Sequence, residues 1–351
     1  MSTQIVLALT EIGKPLTKVS LRGPDTFELA ANEVLIKLIA TGSLTAVAPF
    51  DQKLRDRGLM NIGQSLPAVL GGDLVGTVVR TGTDMTETFP NGSQIFVQMM
   101  ALPRGGLQSY TVVDGTYAAI VPPSIPATEA ALYPINAVTI ALALFTPAGL
   151  GLPFPGTPES ANFDYASQKI VIIGGGSNTG KLAIQFARIA GIGTIITTAS
   201  ASNSAILKDF GATHVITRQD ADADSQIRKI VGDDLVHALD TVSAGGYNLA
   251  LSVLSDTQRG TLVRLTRGPV DEAALAQKKA GVQDKHVVGF SAAIPAFGAL
   301  FWKVFPTWLE SGLVKPLPYK VIEGLDVDKV NAALDQYRDG TGSDRYHVKF
   351  S

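Results

Sequence analysis

Four glycines frame the stretch Gly174-Gly175-Gly176-Ser177-Asn178-Thr179-Gly180, which follows an apolar run ending at Ile173 and opens a helical pattern. Glycines in such a place permit a tight turn and let backbone N–H groups approach a pyrophosphate, which the positive end of the next helix also attracts. The spacing departs from the strict GxGxxG, so its weight comes from the strand before it and the helix after it. Gly174, Gly176, Ser177, Asn178, Thr179 and Gly180 are the candidate phosphate-binding residues. About 20 residues on, an Asp or Glu commonly holds a ribose 2′-hydroxyl. Here residues 197–204 read Thr-Thr-Ala-Ser-Ala-Ser-Asn-Ser, with no acid among them. The hydroxyls and amide of Ser200, Ser202 and Asn203 permit a 2′-phosphate that a carboxylate would repel, which favours NADPH over NADH. Arg218, after the third strand of this half, is the nearest candidate cation.

Other chemistries are excluded by what the chain lacks. It has no cysteine in 351 residues, which removes disulfides, thiolate nucleophiles and zinc sites that need sulfur. The four histidines, His214, His237, His286 and His347, all sit in strand-like segments, so no catalytic metal is expected. A formal charge of -2 from 29 Lys+Arg and 31 Asp+Glu, with no basic run, leaves nothing to neutralise a nucleic-acid backbone. The longest apolar run, residues 137–145, falls well short of the roughly 20 residues that span a bilayer and reads as a buried helix. The first residues show no basic segment followed by an apolar one, so a cytoplasmic protein is expected.

The elements that must position the loop follow from periodicity. Residues 5–9, 33–39, 74–80, 94–98 and 109–113 read as short strands separated by Gly, Pro, Asn and Asp, giving a β-rich barrel or sandwich. After Pro122-Pro123 the spacing turns helical over 127–145, and 150–168 reads as a surface insertion rich in Pro, Gly and Ser. From Lys169 strands and helices alternate. Strands are expected at 170–173, 194–198, 214–216, 235–240, 260–265 and 286–290, with helices at 180–190, 202–210, 223–231 and 247–254 between them. That alternation signals a parallel sheet covered on both faces, an α/β Rossmann-type domain. The tail holds a helix with Trp302 and Trp308, a helix at 327–338 and a strand-like 346–350, which is expected to return to the β-rich half. The expected organisation is a discontinuous β-rich domain, 1–125 with 297–351, and a doubly wound parallel-sheet domain over 126–296.

The order of these motifs resembles the medium-chain dehydrogenase/reductases. The resemblance rests on VLIKLIATG at 34–42, PAVLGGDLVGTVV at 67–79, GGLQSYTVV at 105–113 and the Rossmann domain that follows, so it covers nearly the whole chain. It implies a GroES-like β-rich domain beside the dinucleotide domain. Zinc-dependent members of the family carry a Cys soon after the ATG and a Gly-His-Glu in the second motif. Here those stretches read Ser43-Leu44-Thr45 and Gly71-Gly72-Asp73, and the four-cysteine structural lobe is missing. Within the family the chain is most similar to zinc-free enoyl and quinone reductases, above all the fungal trans-acting enoyl reductases of the lovastatin type that serve polyketide synthases. Asp51-Gln52-Lys53, the insertion starting Leu150-Gly151-Leu152-Pro153, and Thr198-Ala199-Ser200 followed by Ser202-Asn203 carry that likeness.

The resemblance implies a nicotinamide lying between the domains, near Lys53 and near Thr139. Lys53 would donate to a thioester or ketone oxygen and stabilise the enolate that forms as hydride reaches the β-carbon. The plainer alternative makes it a surface lysine of the charged helix KLRDR. Thr139 would hold the carboxamide or ribose, or else bond only its own helix. Mitochondrial-type enoyl reductases place a Tyr proton donor where Leu59 stands, so Tyr110 is the phenol considered in its stead. Phe290 is counted with the cofactor-binding groups and, with Phe297 and Trp302, is expected to line an apolar pocket. The implied activity is an NADPH-dependent, metal-independent reduction of activated C=C bonds in enones or enoyl thioesters, free or carried by a synthase, by a monomer or homodimer. The alternatives are a quinone oxidoreductase, a non-catalytic NADPH-binding protein and a cyclase built on the same fold.

Overall fold

The computed structural model describes residues 2–41, 49–99, 104–341 and 345–350. Two compact units divide the chain, Met1–Ile135 with Phe290–Ser311 and Pro316–Ser351, and Asn136–Gly289 with Gly312–Lys315. The first unit opens with β1 (Thr3–Leu9), β2 (Thr17–Arg22), β3 (Glu33–Thr41), α1 (Pro49–Arg57), β4 (Ala68–Val69), β5 (Asp73–Thr81), β6 (Gln94–Gln98), β7 (Tyr110–Asp114) and β8 (Ala118–Ile120). Next come the short α2 (Ala127–Ala130) and then α3 (Pro134–Phe145), which carries the chain into the second unit. The helical spacing of 127–145 is thus realised as two helices, not one. Proline at 134 offers no N–H to an upstream carbonyl, so it opens a new helix instead of continuing the old.

In the second unit the chain runs through β9 (Lys169–Ile173), α4 (Asn178–Ala190), β10 (Thr194–Ala199), α5 (Ser204–Phe210), β11 (His214–Thr217), α6 (Ala223–Val231), β12 (His237–Asp240), α7 (Asn248–Val253), β13 (Gly260–Arg264), α8 (Glu272–Gln277) and β14 (Val282–His286). The order across this sheet is β11-β10-β9-β12-β13-β14, and each neighbouring pair is parallel. Reversal of strand order at β9 and β12 makes the carboxyl ends of those strands the switch point of a doubly wound sheet. Ile170, Val171 and Ile172 of β9 are fully buried, as befits a central strand covered on both faces. The sixth strand falls at 282–286, upstream of the expected 286–290. Val282 to His286 pairs in register with Gly260 to Arg264, and Gly289 and Phe290 already belong to the turn beyond.

The chain then returns to the first unit with α9 (Pro295–Glu310), β15 (Lys320–Glu323), α10 (Val327–Arg338) and β16 (Tyr346–Lys349). Strand β16 pairs antiparallel with β3 and parallel with β15, so the tail completes the β-rich half. Seven strands form this sheet, β15-β16-β3-β5-β6-β8 with β7 paired to β3, and β2-β1-β4 form a smaller one. Alternate residues of β3 and β6, Val34, Ile36 and Leu38 with Ile95 and Val97, turn to one core with Leu74, Val78 and Phe89. A second core joins Val6 to Leu9 of β1, Leu54 of α1, Val330, Ala333 and Leu334 of α10 and Val348 of β16. Strands β2 and β15 are not foreseen because each is short and carries only two apolar residues, Val19 and Leu21 in TKVSLR and Val321 and Ile322 in KVIE.

Two expectations about exposure are corrected. The insertion at 150–168 is not wholly superficial, because Leu150, Leu152 and Phe154 are buried and Phe154 meets Phe145 edge to face at 5.4 Å. The helix containing KLRDR is not a solvated surface element, because Leu54 and Arg55 are buried and Arg55 is held by carboxylates. No helix among the described residues is long and apolar enough to cross a membrane.

Candidate dinucleotide site and candidate active-site residues

Between β9 and α4 the backbone reverses at Gly174, whose φ of +84° lies in the region that side chains rarely adopt. A Cβ there would also stand 2.6 Å from both methyls of Val242. Gly180 serves close approach instead, since a Cβ on it would overlap the Gly174 carbonyl across the turn. The Gly174 N–H donates to Thr198 Oγ1 at 3.2 Å and the Gly175 N–H to the Thr198 carbonyl at 2.9 Å, tying the loop to β10. Ser177 caps α4 by accepting the Gly180 N–H at 3.0 Å, while its own N–H donates to Gly174 O at 2.9 Å. Its hydroxyl also lies 3.0 Å from Thr241 Oγ1 and 3.2 Å from Thr179 Oγ1. Ser177, expected among the cofactor-binding groups, thus has both its N–H and its hydroxyl committed to protein partners. The N–H groups of Gly176, Asn178 and Thr179 have no acceptor among the described residues. Unpaired N–H groups at the start of a thirteen-residue helix add their partial positive charge to its dipole, which suits an anion.

Beside this loop, at the carboxyl end of β10, Ser200 Oγ lies 3.1 Å from Ser202 Oγ and accepts the Asn203 amide N–H at 2.7 Å. The expected helix at 202–210 therefore starts later, after a single 3-10 turn over Ala201–Asn203. Asn203 also borders the loop, because a Cβ on Gly176 would come 3.3 Å from Asn203 Nδ2. The Arg218 N–H donates to Ala199 O at 2.8 Å, which brings its backbone to the end of β10. Its exposed guanidinium has no ion-pair partner among the described residues. Loop and corner together fit a nicotinamide dinucleotide. They bring N–H donors to the loop and hydroxyl, amide and guanidinium groups to the end of β10, with no carboxylate among Ser200, Ser202 and Asn203.

Thr139 is buried in α3, against the turn after β14. A Cβ on Gly289 would overlap its Oγ1, so glycine there lets the chain pass directly over the threonine. Phe290 is partly buried at the head of the 3-10 turn Ser291–Ala293 and belongs to the first unit.

In the first unit, α1 presents a row of polar side chains. Asp51 is buried and accepts the Gly71 N–H; burial, then the neighbouring charge of Asp73, pushes its carboxyl well above the usual range. Gln52 donates to Asp56 Oδ2 at 2.7 Å, and Arg55 bonds Asp56 and Asp335. Lys53, half-buried, and the exposed Arg57 have no hydrogen-bond or ion-pair partner among the described residues. Tyr110 starts β7, and its backbone N–H and carbonyl both pair with the Gln4 side chain at 2.9 and 3.0 Å. No hydrogen bond joins its phenol to Lys53. Leu59 packs at the edge of the β1 core, where an apolar side chain belongs and a proton donor would not. Trp302 does not line an open pocket. It is 3% exposed, packs edge-on to Phe96 at 5.3 Å, and donates its indole N–H to Ser291 Oγ at 3.0 Å.

Where zinc-dependent members of the resembling family place a ligand histidine, this chain has Gly72, packed against the terminal methyl of Ile135. The next residue, Asp73, is buried and accepts the Ile135 N–H at 2.6 Å at the start of α3. Residues 43–45, the other ligand position, lie outside the described residues. The four histidines are dispersed through β11, β12, β14 and β16. Burial, then Lys285, lowers His237 to about 4. Burial, then Arg345, lowers His347 to about 3, and its Nδ1 lies 2.6 Å from the Thr128 carbonyl. Among the described residues no three His, Asp or Glu side chains are grouped to hold a metal ion.

Sequence reasoning missed Thr241 and Val242, which meet the glycine loop from the end of β12. Their position one and two residues past a central strand is the available signal, since parallel sheets bind ligands beyond their carboxyl ends.

A doubly wound sheet with an N–H cradle at its switch point, together with a β-rich unit completed by the chain's tail, defines a two-domain dinucleotide-dependent oxidoreductase. Residues 179–296 match the family of zinc-binding dehydrogenases, and residues 30–124 the alcohol dehydrogenase GroES-like domain. A trans-enoyl reductase, tndF of Aspergillus flavipes, is 28% identical over 97% of both chains. The trans-enoyl reductase tazE of Aspergillus terreus is 30% identical over 70% of this chain and 80% of its own. The solved CurK enoyl reductase superposes over 100% of both chains with a TM-score of 0.78 at 21% identity, a likeness of fold. The chain belongs to the medium-chain dehydrogenase/reductase family, whose oxidoreductases use a nicotinamide cofactor.

Proposed function

We propose that this protein is an NADPH-dependent, metal-independent reductase of activated C=C bonds, acting on an enone or enoyl thioester of polyketide-type secondary metabolism. The observation that carries the chemistry is Lys53. On a helix whose buried residues Asp51, Gln52 and Arg55 each hold at least one protein partner, it has an ammonium without one among the described residues. The fungal trans-enoyl reductase relatives support the substrate class. The cofactor, when bound, supplies hydride. The free N–H groups of Gly176, Asn178 and Thr179 hold its pyrophosphate, and Ser200, Ser202, Asn203 and Arg218 hold its 2′-phosphate. Lys53 donates to the substrate carbonyl oxygen and stabilises the negative charge that develops there as the double bond is reduced, an interaction that strengthens toward the transition state. The α-carbon takes its proton from water or from the Tyr110 phenol, because Leu59 offers none.

Stopped-flow oxidation of NADPH by a panel of enones, enoyl thioesters and quinones tests the reading, with and without prolonged chelation. The expected result is rapid, chelator-insensitive reduction of the conjugated carbonyls. Preferential reduction of quinones, binding without turnover of any acceptor, or loss of turnover on removing a stoichiometric metal would each replace it.

A further inference from the structure

We infer that Thr241 is a positioning residue for the pyrophosphate cradle, acting through Ser177 on the first turn of α4. The inference rests on the dinucleotide reading of the glycine loop. Its basis is a chain of hydroxyls whose directions follow from one assignment. Thr241 Oγ1 stands 2.9 Å from the Ile173 carbonyl and 3.2 Å from that of Gly174, neither of which can donate, so its single proton goes there. At 3.0 Å from Ser177 Oγ it must then accept the serine proton. Ser177 Oγ, having given its own proton, accepts from Gly180 N–H at 3.0 Å and from the Thr179 hydroxyl at 3.2 Å. Thr241 is 7% exposed, so water competes poorly for these bonds.

The anchor of this chain is itself held. Asp240 Oδ1 accepts the N–H groups of Val242 at 3.0 Å and Ser243 at 2.8 Å, fixing the turn in which Thr241 sits. Asp240 is in register with Ile173 across the sheet, so the clasp spans from the end of β12 over the end of β9 to the helix start. By occupying the Ser177 hydroxyl completely, Thr241 fixes the cap geometry and leaves the phosphate to the N–H groups of Gly176, Asn178 and Thr179. The side chain thus touches no phosphate itself and acts on the groups that do.

Thr241→Val keeps the shape and removes the hydroxyl. Fluorescence titration is expected to show NADPH binding weakened about fivefold to tenfold, the range of one lost internal hydrogen bond. Binding of adenosine 2′-monophosphate, which carries the ribose corner's ligand but no pyrophosphate, is expected to stay unchanged. KM for NADPH should rise in parallel while kcat at saturating cofactor holds within about twofold, and Thr241→Ser should restore both constants. Wild-type NADPH affinity in Thr241→Val, equal weakening of both ligands, or failure of Thr241→Ser to restore binding would overturn the inference alone. Wild-type protein that binds neither NADPH nor NADH would overturn it together with the dinucleotide reading. Should Thr241→Val not fold, Ser177→Ala breaks the same clasp from its other end, and the contrast between the two ligands must appear there.

Discussion

Arg55 Nη2 lies 2.7 Å from Asp335 Oδ1, while its Nε holds Asp56 Oδ1 at 2.6 Å, so one buried guanidinium ties α1 to α10. Burial works against its charge, yet the hydrogen bonds it donates to Asp56 and Asp335 outweigh that and raise its pKa. A planar fork that serves two carboxylates orients its helix more sharply than a lysine would. Lys53 lies two residues away on the same helix.

Breaking the tie should be measurable in stability before it is measurable in chemistry. Loss of one partner from a buried pair costs about 3–5 kcal/mol, and the 38% exposure of the Asp335 side chain reduces that. Asp335→Asn is expected to lower unfolding free energy by about 1–3 kcal/mol in urea titrations. In a double-mutant cycle with Arg55→Met the coupling should exceed about 0.5 kcal/mol; additive effects would show that the pair does not act as a unit.

Lys53→Met removes the charge and keeps most of the apolar stem, so packing losses stay small. The variant should fold, bind NADPH as the wild type does, and lose about 10²–10³ in kcat on enones, the usual cost of one donor to a developing oxyanion. Unchanged kcat with normal cofactor binding would make Lys53 an ordinary helix residue.

Arg218→Ala addresses cofactor choice. A charge-assisted hydrogen bond to the 2′-phosphate is worth about 1.5–3 kcal/mol, so its loss should weaken NADPH roughly tenfold or more and leave NADH affinity within twofold. Parallel weakening of the two cofactors would remove Arg218 from the 2′-phosphate site.

Acid should act partly through His347, neutral in its buried place under Tyr319, to which it stacks at 4.8 Å. Its folded pKa, about 3, lies below the unfolded value. The unfolded state therefore binds the extra proton, and stability is present above about pH 6.5 and falls as pH drops toward the folded value. One such group contributes a slope of up to about 1.4 kcal/mol per pH unit. Urea midpoints between pH 7 and 5 should fall less steeply in His347→Asn, whose amide can still donate to Thr128 O. Identical slopes would assign the acid sensitivity to other groups, His237 first among them.

The parallel sheet was legible because buried strands leave near-continuous apolar runs such as Lys169–Ile173, and the glycine loop because backbone approach admits no other residue. Arg55 was not, since four charged residues in the five of KLRDR on a short helix look solvated until Asp335, far along the chain, supplies a partner. Thr241 was hidden for the opposite reason. Its chemistry is ordinary, and only pairing of β12 with β9 brings it to Ser177. The site was therefore readable where it is local in sequence and unreadable where two distant strands or helices assemble it.

The pairing of Val348 with Thr41 places β16 beside a strand made roughly three hundred residues earlier. During synthesis β3 emerges long before its neighbour exists, and the second unit, drawn almost wholly from one continuous stretch, can condense in the interval. The first unit must wait with an open sheet edge, which is a template for misplaced strands. Ribosome-bound chains arrested before β16 should therefore expose a protease-sensitive amino-terminal half while the dinucleotide unit is already resistant. Expression yield would then depend on how quickly the last strand arrives.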